Sequence, residues 1–452
     1  MTEGFLKKKL DFMSTAWWIE GLNYPLYEYS PRIYRPMSSF MQMLDFDFRH
    51  WLWQIVPPHP AVSFTWIFSL VLSPYFLYRL LGLLTVSRPV ATFICGIYLS
   101  NAAFLSVVVM YFRPAKAMTN FSLIFALYLA ALAAKDRSAF SKTILLYAFL
   151  VPSLLWDESA VVMFPALVIL FPSLVLRDWR QRGAFVAALL AGAFLYTILL
   201  PKVTVWARYP APNLMAYSPT KTAFDLFGLE RILTLFHDYL YNLKIAVMDC
   251  AGLTVPWFPS SFWFSGLQYA QYLIVAFSLG FFALRCRLRF WREMWFRGLA
   301  LFTLFVGLDT YALSTIGNNI WGLYYYGAYV GVSFIVLFAF FLQRIYESGR
   351  LGQVLVAVLS ATVTVCSLYI FERTNFAYKF AHYYADGAIG PGPVLKKIFK
   401  NETNRFDFME ANALPRMGEL TDQYWRCKRE KVFCDAPNES ELRYLLVELK
   451  IY

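Results

Sequence analysis

The chain is poor in charge: of its 452 residues only 15% are charged, whereas 59% are hydrophobic and 19% aromatic. A soluble domain carries about 25% charged residues, so this composition excludes an ordinary soluble protein. Apolar runs of about 20 residues, the length of a transmembrane helix, recur along the chain. They do not alternate with period two, as the strands of a transmembrane barrel do. The sequence therefore predicts an all-α, multi-spanning membrane protein.

The sequence also lacks the cysteine and histidine patterns of metal and redox sites. Its six cysteines form no CxxC pair, and its four histidines have no metal-ligand spacing. Cys427 and Cys434 lie together in a polar tail, where a disulfide is expected if the tail is extracytoplasmic. The net charge is +12, and in a membrane protein such an excess sets orientation or meets anionic lipid. We therefore expect the lipid bilayer, and no nucleic acid, as a partner.

Ten apolar runs are candidate spans, with external amphipathic helices beside them. The runs are residues 61–78, 90–112, 118–134, 139–156, 159–176, 184–200, 266–284, 298–316, 322–343 and 352–371. Residues 1–60 predict an external loop with juxtamembrane helices, and residues 61–371 a transmembrane bundle. Inside the bundle, the external segment 201–262 contains TAFDLFGLERILTLFHDYLYNL, which predicts an amphipathic helix lying along the membrane. Residues 372–452 predict a small extracytoplasmic C-terminal region.

Basic residues are concentrated in alternate loops, which is the positive-inside pattern of membrane proteins. Arg79 and Arg88 lie in one such loop and Lys135 in the next, whereas the intervening loops WDES and GNN hold no base. The basic loops are therefore predicted to be cytoplasmic. The lysines at positions 7–9 depart from the pattern, because no span separates them from the external loop. Either the N-terminus lies outside without its own span, or a helix precedes Met1.

Two groups of cations lie in predicted external segments. Arg32 and Arg35 belong to the first external loop, and Arg113 and Lys116 form the turn RPAK between two spans. Such groups bind either the phosphate of a substrate or the lipid head groups at the bilayer surface. The spacing of Arg32 and Arg35 alone favours lipid, whereas the two interpretations are equally supported for RPAK.

Acidic residues mark two further positions. Asp157 and Glu158, in LLWDESAVVMFP, lie at the external start of a helix, where Asp157 suits an N-cap and both suit the positive helix end. Alternatively, they bind a divalent cation or an acceptor hydroxyl. Asp309 lies inside the apolar run LFVGLDTYALS. Because a charge inside the membrane is costly, we expect Asp309 to face the bundle interior with a partner, in a packing or a functional role.

Three segments together resemble a known family. YRPMSS, from Tyr34 to Ser39, is similar to a Tyr-Arg-Pro-Leu-Ser/Thr segment in a first external loop. LDFDFRHWLWQIVPPHPAVSFTWIF is similar to the juxtamembrane helix and span that follow it, and LLWDESAVVMFPALVIL to an acidic segment that opens a helix. The chain thus resembles the GT-C type integral-membrane glycosyltransferases, in the protein O-mannosyltransferase-like branch that uses polyprenyl-phosphate sugars. The likeness covers roughly the first 180 residues by motif and the rest only as architecture.

The resemblance implies a role for each candidate residue. Asp11, in KKLDFMSTAWW, is the catalytic base that deprotonates an acceptor hydroxyl, whereas Asp45 and Asp47 are positional. Asp157 and Glu158 shape the acceptor site or a metal site, with a divalent cation as the candidate cofactor. The residues implied to bind the donor phosphate are Arg32, Arg35, Arg113 and Lys116.

The implied reaction is an inverting sugar transfer on the extracytoplasmic side of a bacterial inner membrane. Its acceptor is a lipid-linked glycan, a lipid or a protein. The chain departs from the family in two places: only MTEGFLKKK precedes Asp11, where the family has a span, and WGLYYYGAY lacks the arginine of a later motif. The first departure favours a helix upstream of Met1. The alternative functions are a transporter or flippase of lipid-linked sugars, a polysaccharide polymerase or ligase, and a non-catalytic membrane scaffold.

Overall fold

A computed structural model describes most of the bundle that the sequence predicts. The described residues are 64–101, 104–105, 114–135, 140–156, 158–195, 229–253, 262–285, 294–315 and 328–385, together with the single residues Met37, Met41, Leu44 and Phe48.

Every regular element in these ranges is a helix, which confirms the all-α prediction. A π-helical segment, Ile67–Leu72, leads directly into the first α-helix, and a 3-10 helix, Glu158–Val162, leads into the fifth. The α-helices are α1 (Ser73–Leu83), α2 (Arg88–Ser100), α3 (Pro114–Lys135), α4 (Phe140–Ser153), α5 (Met163–Leu170), α6 (Pro172–Leu176), α7 (Trp179–Phe194), α8 (Leu229–Cys250), α9 (Phe262–Arg285), α10 (Met294–Thr315), α11 (Ala328–Tyr346) and α12 (Arg350–Ala385).

Three of the described helices are long and apolar enough to cross a membrane. These segments are Ala117–Lys135 in α3, Gly266–Leu284 in α9 and Arg350–Tyr369 in α12. Shorter apolar stretches lie at Ile67–Leu83, Phe140–Ser153, Ala160–Leu170 and Val330–Tyr346. The structure thus supports a membrane protein, whereas the number of ten spans and the orientation stay predictions. Helix α12 also continues past residue 371, the predicted end of the last span, to Ala385.

Helix α3 lies at the centre of the bundle and α9 at its edge. The apolar segment of α3 is 78% buried against α1, α4, α5 and α11, whereas that of α9 is only 17% buried. The main apolar core is one continuous cluster that draws side chains from α1 to α12. In a bilayer the exposed face of α9 is compatible with lipid tails, so its apolar residues need no protein partner.

Helix α8 overlaps the predicted amphipathic helix, and part of its polar face packs against α10. Tyr239 lies against Gly307 of α10, and three residues later Asn242 reaches Thr310. The two helices therefore run side by side in the same direction. The polar face of α8 can pack against α10 because α10 provides polar partners. Amphipathicity alone does not show whether such a polar face contacts another helix or water.

The C-terminal end of α8 is closed by a glycine turn and by side chains from two other helices. Gly252 has φ +68°, and the Leu253 amide donates to the Met248 carbonyl at 2.7 Å, as in a Schellman motif. Asn101 donates to the Cys250 carbonyl at 3.1 Å. Gln271 donates to the Ala251 carbonyl at 3.1 Å. Helix carbonyls that water cannot reach need such donors, so α8 is fixed firmly at this end.

Candidate functional site

Most of the predicted site residues lie outside the described residues. These are Asp11, Arg32, Arg35, Arg113 and Asp157. The backbone of Lys116 lies in the first turn of α3, and the backbone of Glu158 opens the 3-10 helix, but the side chains of both lie outside the described part. The structure therefore bears on the candidate site through the neighbours of each motif.

Those neighbours pack together in one apolar group, which we call the junction cluster. Its buried members are Met41, Met118 and Phe121. Partly buried side chains surround them, including Leu44 and Trp156. The cluster thus joins the segment after YRPMSS, the first turns of α3 after RPAK, and the residue directly before Asp157.

The described residues of the segment that contributes Met41 and Leu44 to the junction cluster follow a helical spacing. Met37, Met41, Leu44 and Phe48 are helical and recur every three or four residues, which places them on one helix face. Phe48 contacts Phe64 edge to face, with ring centroids 6.3 Å apart. This face therefore holds the N-terminal segment against the residues that lead into α1.

Aromatic rings fix the start of α3 in the same place. Phe121 meets Phe68 edge to face at 5.2 Å and stacks on Phe125 at 5.7 Å. Phe76 of α1 contacts the rings of Phe121 at 6.2 Å and Phe125 at 4.7 Å. Each aromatic pair adds about 0.5–1.5 kcal/mol beyond its burial, so this end of α3 is rigidly located relative to α1.

A second candidate site is a buried polar row between α8 and α10. Asn242 donates through Nδ2 to Thr310 Oγ1 at 2.9 Å, and the Thr310 hydroxyl donates to the Val306 carbonyl at 2.8 Å. Asp238 lies one turn before Asn242 and is 9% exposed, whereas Asp309 is 2% exposed. The expectation that Asp309 faces the bundle interior is thereby confirmed.

Sequence reasoning did not single out Asp238 and Asn242. The signal was present in the spacing: Asp238, Asn242, Ala246 and Cys250 recur every fourth residue and are all buried. His237, the neighbour of Asp238, is 82% exposed, and its Nδ1 lies 3.5 Å from an Asp238 carboxylate oxygen. Buried acids between the helices of a membrane protein usually form proton or ion sites, or they stabilise packing through hydrogen bonds.

The described residues give no further support for a metal site. Among them, no three His, Cys, Asp or Glu side chains are grouped closely enough to hold a metal ion. The divalent-cation site expected at Asp157 and Glu158 lies outside the side chains that the structure describes.

No protein-family model, curated protein or solved structure matches the chain.

Proposed function

We propose that the chain is an integral-membrane glycosyltransferase that moves a sugar from a polyprenyl-phosphate donor to a hydroxyl acceptor on the extracytoplasmic side. The junction cluster is the observation that supports this proposal. It draws together the flanks of three motifs that are far apart in the sequence: YRPMSS, RPAK and WDES. A scaffold needs no such convergence of basic and acidic motifs.

Chain connectivity strengthens this support. Lys116 precedes the cluster residue Met118 by two residues, and Asp157 directly follows Trp156, whereas Arg35 precedes Met41 by six. Two residues of chain span at most about 7 Å. One motif cation and one acid are therefore tethered closely to one packed group, as a site for an anionic donor and a polar acceptor requires.

The proposed chemistry is a single displacement. Asp11 takes the proton of the acceptor hydroxyl while the acceptor oxygen bonds to the anomeric carbon. The bond from that carbon to the phosphate oxygen breaks, and polyprenyl phosphate leaves as an anion. Its negative charge is stabilised by the donor-phosphate residues, which act where charge develops in the transition state. These residues are Arg32, Arg35, Arg113 and Lys116.

Asp157 and Glu158 complete the proposed site by binding the acceptor or a divalent cation. Carboxylate oxygens are the ligands that Mg²⁺ and Ca²⁺ prefer. The acceptor is a lipid-linked glycan, a lipid or a protein, and the membrane is the inner membrane of a bacterium with the site facing outward.

The buried acids favour one alternative, a transporter or flippase of lipid-linked sugars. Asp238 and Asp309 are both enclosed within the bundle, and acids inside a transmembrane bundle line the pathways of many transporters. This alternative predicts movement of the donor across the bilayer without chemical change, and loss of that movement in Asp309→Asn.

The test uses the full chain in liposomes with labelled polyprenyl-phosphate hexose and pentose donors. Transfer and release of polyprenyl phosphate are measured for the unmodified chain, for Asp11→Asn and for Asp47→Asn, a matched change in the following segment. We expect Asp11→Asn to lower the rate by about 10²–10⁴-fold, the contribution of a general base, and Asp47→Asn to keep it. Full activity of Asp11→Asn would contradict the catalytic assignment.

A further inference from the structure

A basic cavity lies at the end of the bundle where α1 and α3 end and α2 begins. Its volume is about 310 Å³, and its walls include Arg79 and Gly82 of α1, Arg88 of α2 and Tyr128 of α3. This volume is at the lower limit of small-molecule pockets, which suits a head group rather than a whole lipid. The same end carries the basic loops that the charge pattern predicts to be cytoplasmic.

The turn that positions Arg88 is fixed by a distant helix. Gln343 of α11 accepts hydrogen bonds at 2.9 Å from both the amide and the hydroxyl of Ser87. Thr85, two residues earlier, has φ +64° and forms the sharp part of the turn between α1 and α2. The cavity wall formed by Arg88 is therefore preorganised.

The cations of the cavity are available to an anion. Within the described part of the chain, neither Arg79 nor Arg88 forms a salt bridge with an acid, and both are exposed. Lys135 lies three residues after the cavity-lining Leu132, so it is on the same face of α3 as Tyr128. Two arginines thus line one opening, with Lys135 on the adjoining turn of α3, and arginine is well suited to two-point binding of a phosphate.

An apolar stripe leads from the outer face of the π-helical segment along α1 to this cavity. Val71 is 60% exposed and Tyr75 is 52% exposed. Arg79 and Gly82 follow at the spacing of one helix face. From position 71 to position 79 the helix advances about 12 Å, which is close to the depth of one bilayer leaflet. An apolar track that ends at a cationic cavity matches the shape and charge of a phospholipid.

We propose that this cavity binds the phosphate-bearing head group of an anionic phospholipid of the predicted cytoplasmic leaflet, with an acyl chain along Val71 and Tyr75. Basic pockets between transmembrane helices hold anionic head groups in this manner. The site lies at the opposite end of α3 from the junction cluster and does not depend on the proposed transferase function.

Native mass spectrometry tests the proposal. The full chain is delipidated in detergent and titrated with phosphatidylglycerol or with phosphatidylcholine of equal chain length. We expect the unmodified chain to retain one phosphatidylglycerol. In the double variant Arg79→Gln/Arg88→Gln we expect the affinity for this lipid to fall by about tenfold or more. The control Arg177→Gln/Arg180→Gln removes two exposed arginines that do not line the cavity and keeps the lipid.

A steric variant separates the cavity from general surface charge. A Cβ on Gly82 meets nothing within 4 Å, and the same holds for Gly96 on α2. Both positions are helical, where replacing glycine stabilises the helix. Gly82→Leu therefore fills the cavity without unfolding the chain and loses the lipid, whereas Gly96→Leu retains it. Equal binding in Gly82→Leu and Gly96→Leu overturns the proposal, as does displacement of the lipid by millimolar inorganic phosphate, which would identify a site for the free anion.

Discussion

Replacing Gly252 by alanine tests how the end of α8 is built. Gly252 has φ +68°, and a Cβ there would lie 3.1 Å from the Cys366 Cβ and 3.2 Å from both Ser367 Oγ and the Val363 carbonyl oxygen of α12. Left-handed backbone costs a residue with a side chain about 1–2 kcal/mol, and overpacking a tight site costs about 1–3 kcal/mol. We therefore expect Gly252→Ala to lower the free energy of unfolding by about 2–5 kcal/mol.

This magnitude carries over to a membrane protein because both contributions are steric. Hydrophobic transfer is a weak force between helices that stay in lipid, but neither the backbone strain nor the atomic overlap depends on the solvent. Equilibrium unfolding in mixed micelles, followed by tryptophan fluorescence, measures the difference.

A matched control is Gly280→Ala on α9, where a Cβ meets nothing within 4 Å. Helix propensity predicts that this change raises stability by up to about 1 kcal/mol. If Gly252→Ala unfolds within about 0.5 kcal/mol of the unmodified chain, the close approach of α8 to α12 and the assumed strain are both refuted.

Two further changes probe the junction cluster and the turn before α2. Phe121→Ala removes ring contacts with Phe68, Phe76 and Phe125 and should cost about 2–4 kcal/mol; Phe277→Ala, at a ring that is 57% exposed, should cost almost nothing in the same unfolding assay. Gln343→Leu leaves the amide and the hydroxyl of Ser87 without their acceptor and should lower the free energy of unfolding by about 1–3 kcal/mol. An unchanged unfolding midpoint would show that water replaces Gln343.

The sequence predicted the helical class and most helix positions because apolar runs report directly on burial in lipid or protein. Asp309 was expected inside the bundle because an acid in an apolar run is costly when it faces lipid. An amphipathic helix that overlaps α8 was predicted, but its packing against α10 was not. Its pattern of polar and apolar residues is the same whether the polar side faces water or the polar side chains of another helix. The partner that Asn242 contacts, Thr310, is 68 positions away in the sequence.

The candidate site was predicted by motif rather than by packing. Nothing in YRPMSS or WDES shows that Met41 and Trp156 share one cluster with Met118, because that contact depends on how α1 and α3 cross. The basic cavity was missed for a different reason. Arg79 and Arg88 were read only as markers of orientation, and a loop arginine that orients the chain looks identical, in sequence, to one that lines a cavity.

The two proposed sites of the chain lie at opposite ends of α3. One end begins after RPAK and packs into the junction cluster through Met118 and Phe121, whereas the other end lines the basic cavity through Tyr128. Helix α3 is the central, most buried of the candidate spans, so it is held by neighbours along its whole length and cannot tilt freely to satisfy both ends. A lipid seated beside Arg79 therefore restrains the same helix that positions Lys116. If both proposals hold, anionic phospholipid should raise donor binding in the unmodified chain but not in Gly82→Leu, since only the former lets the lipid support α1 and α3 together.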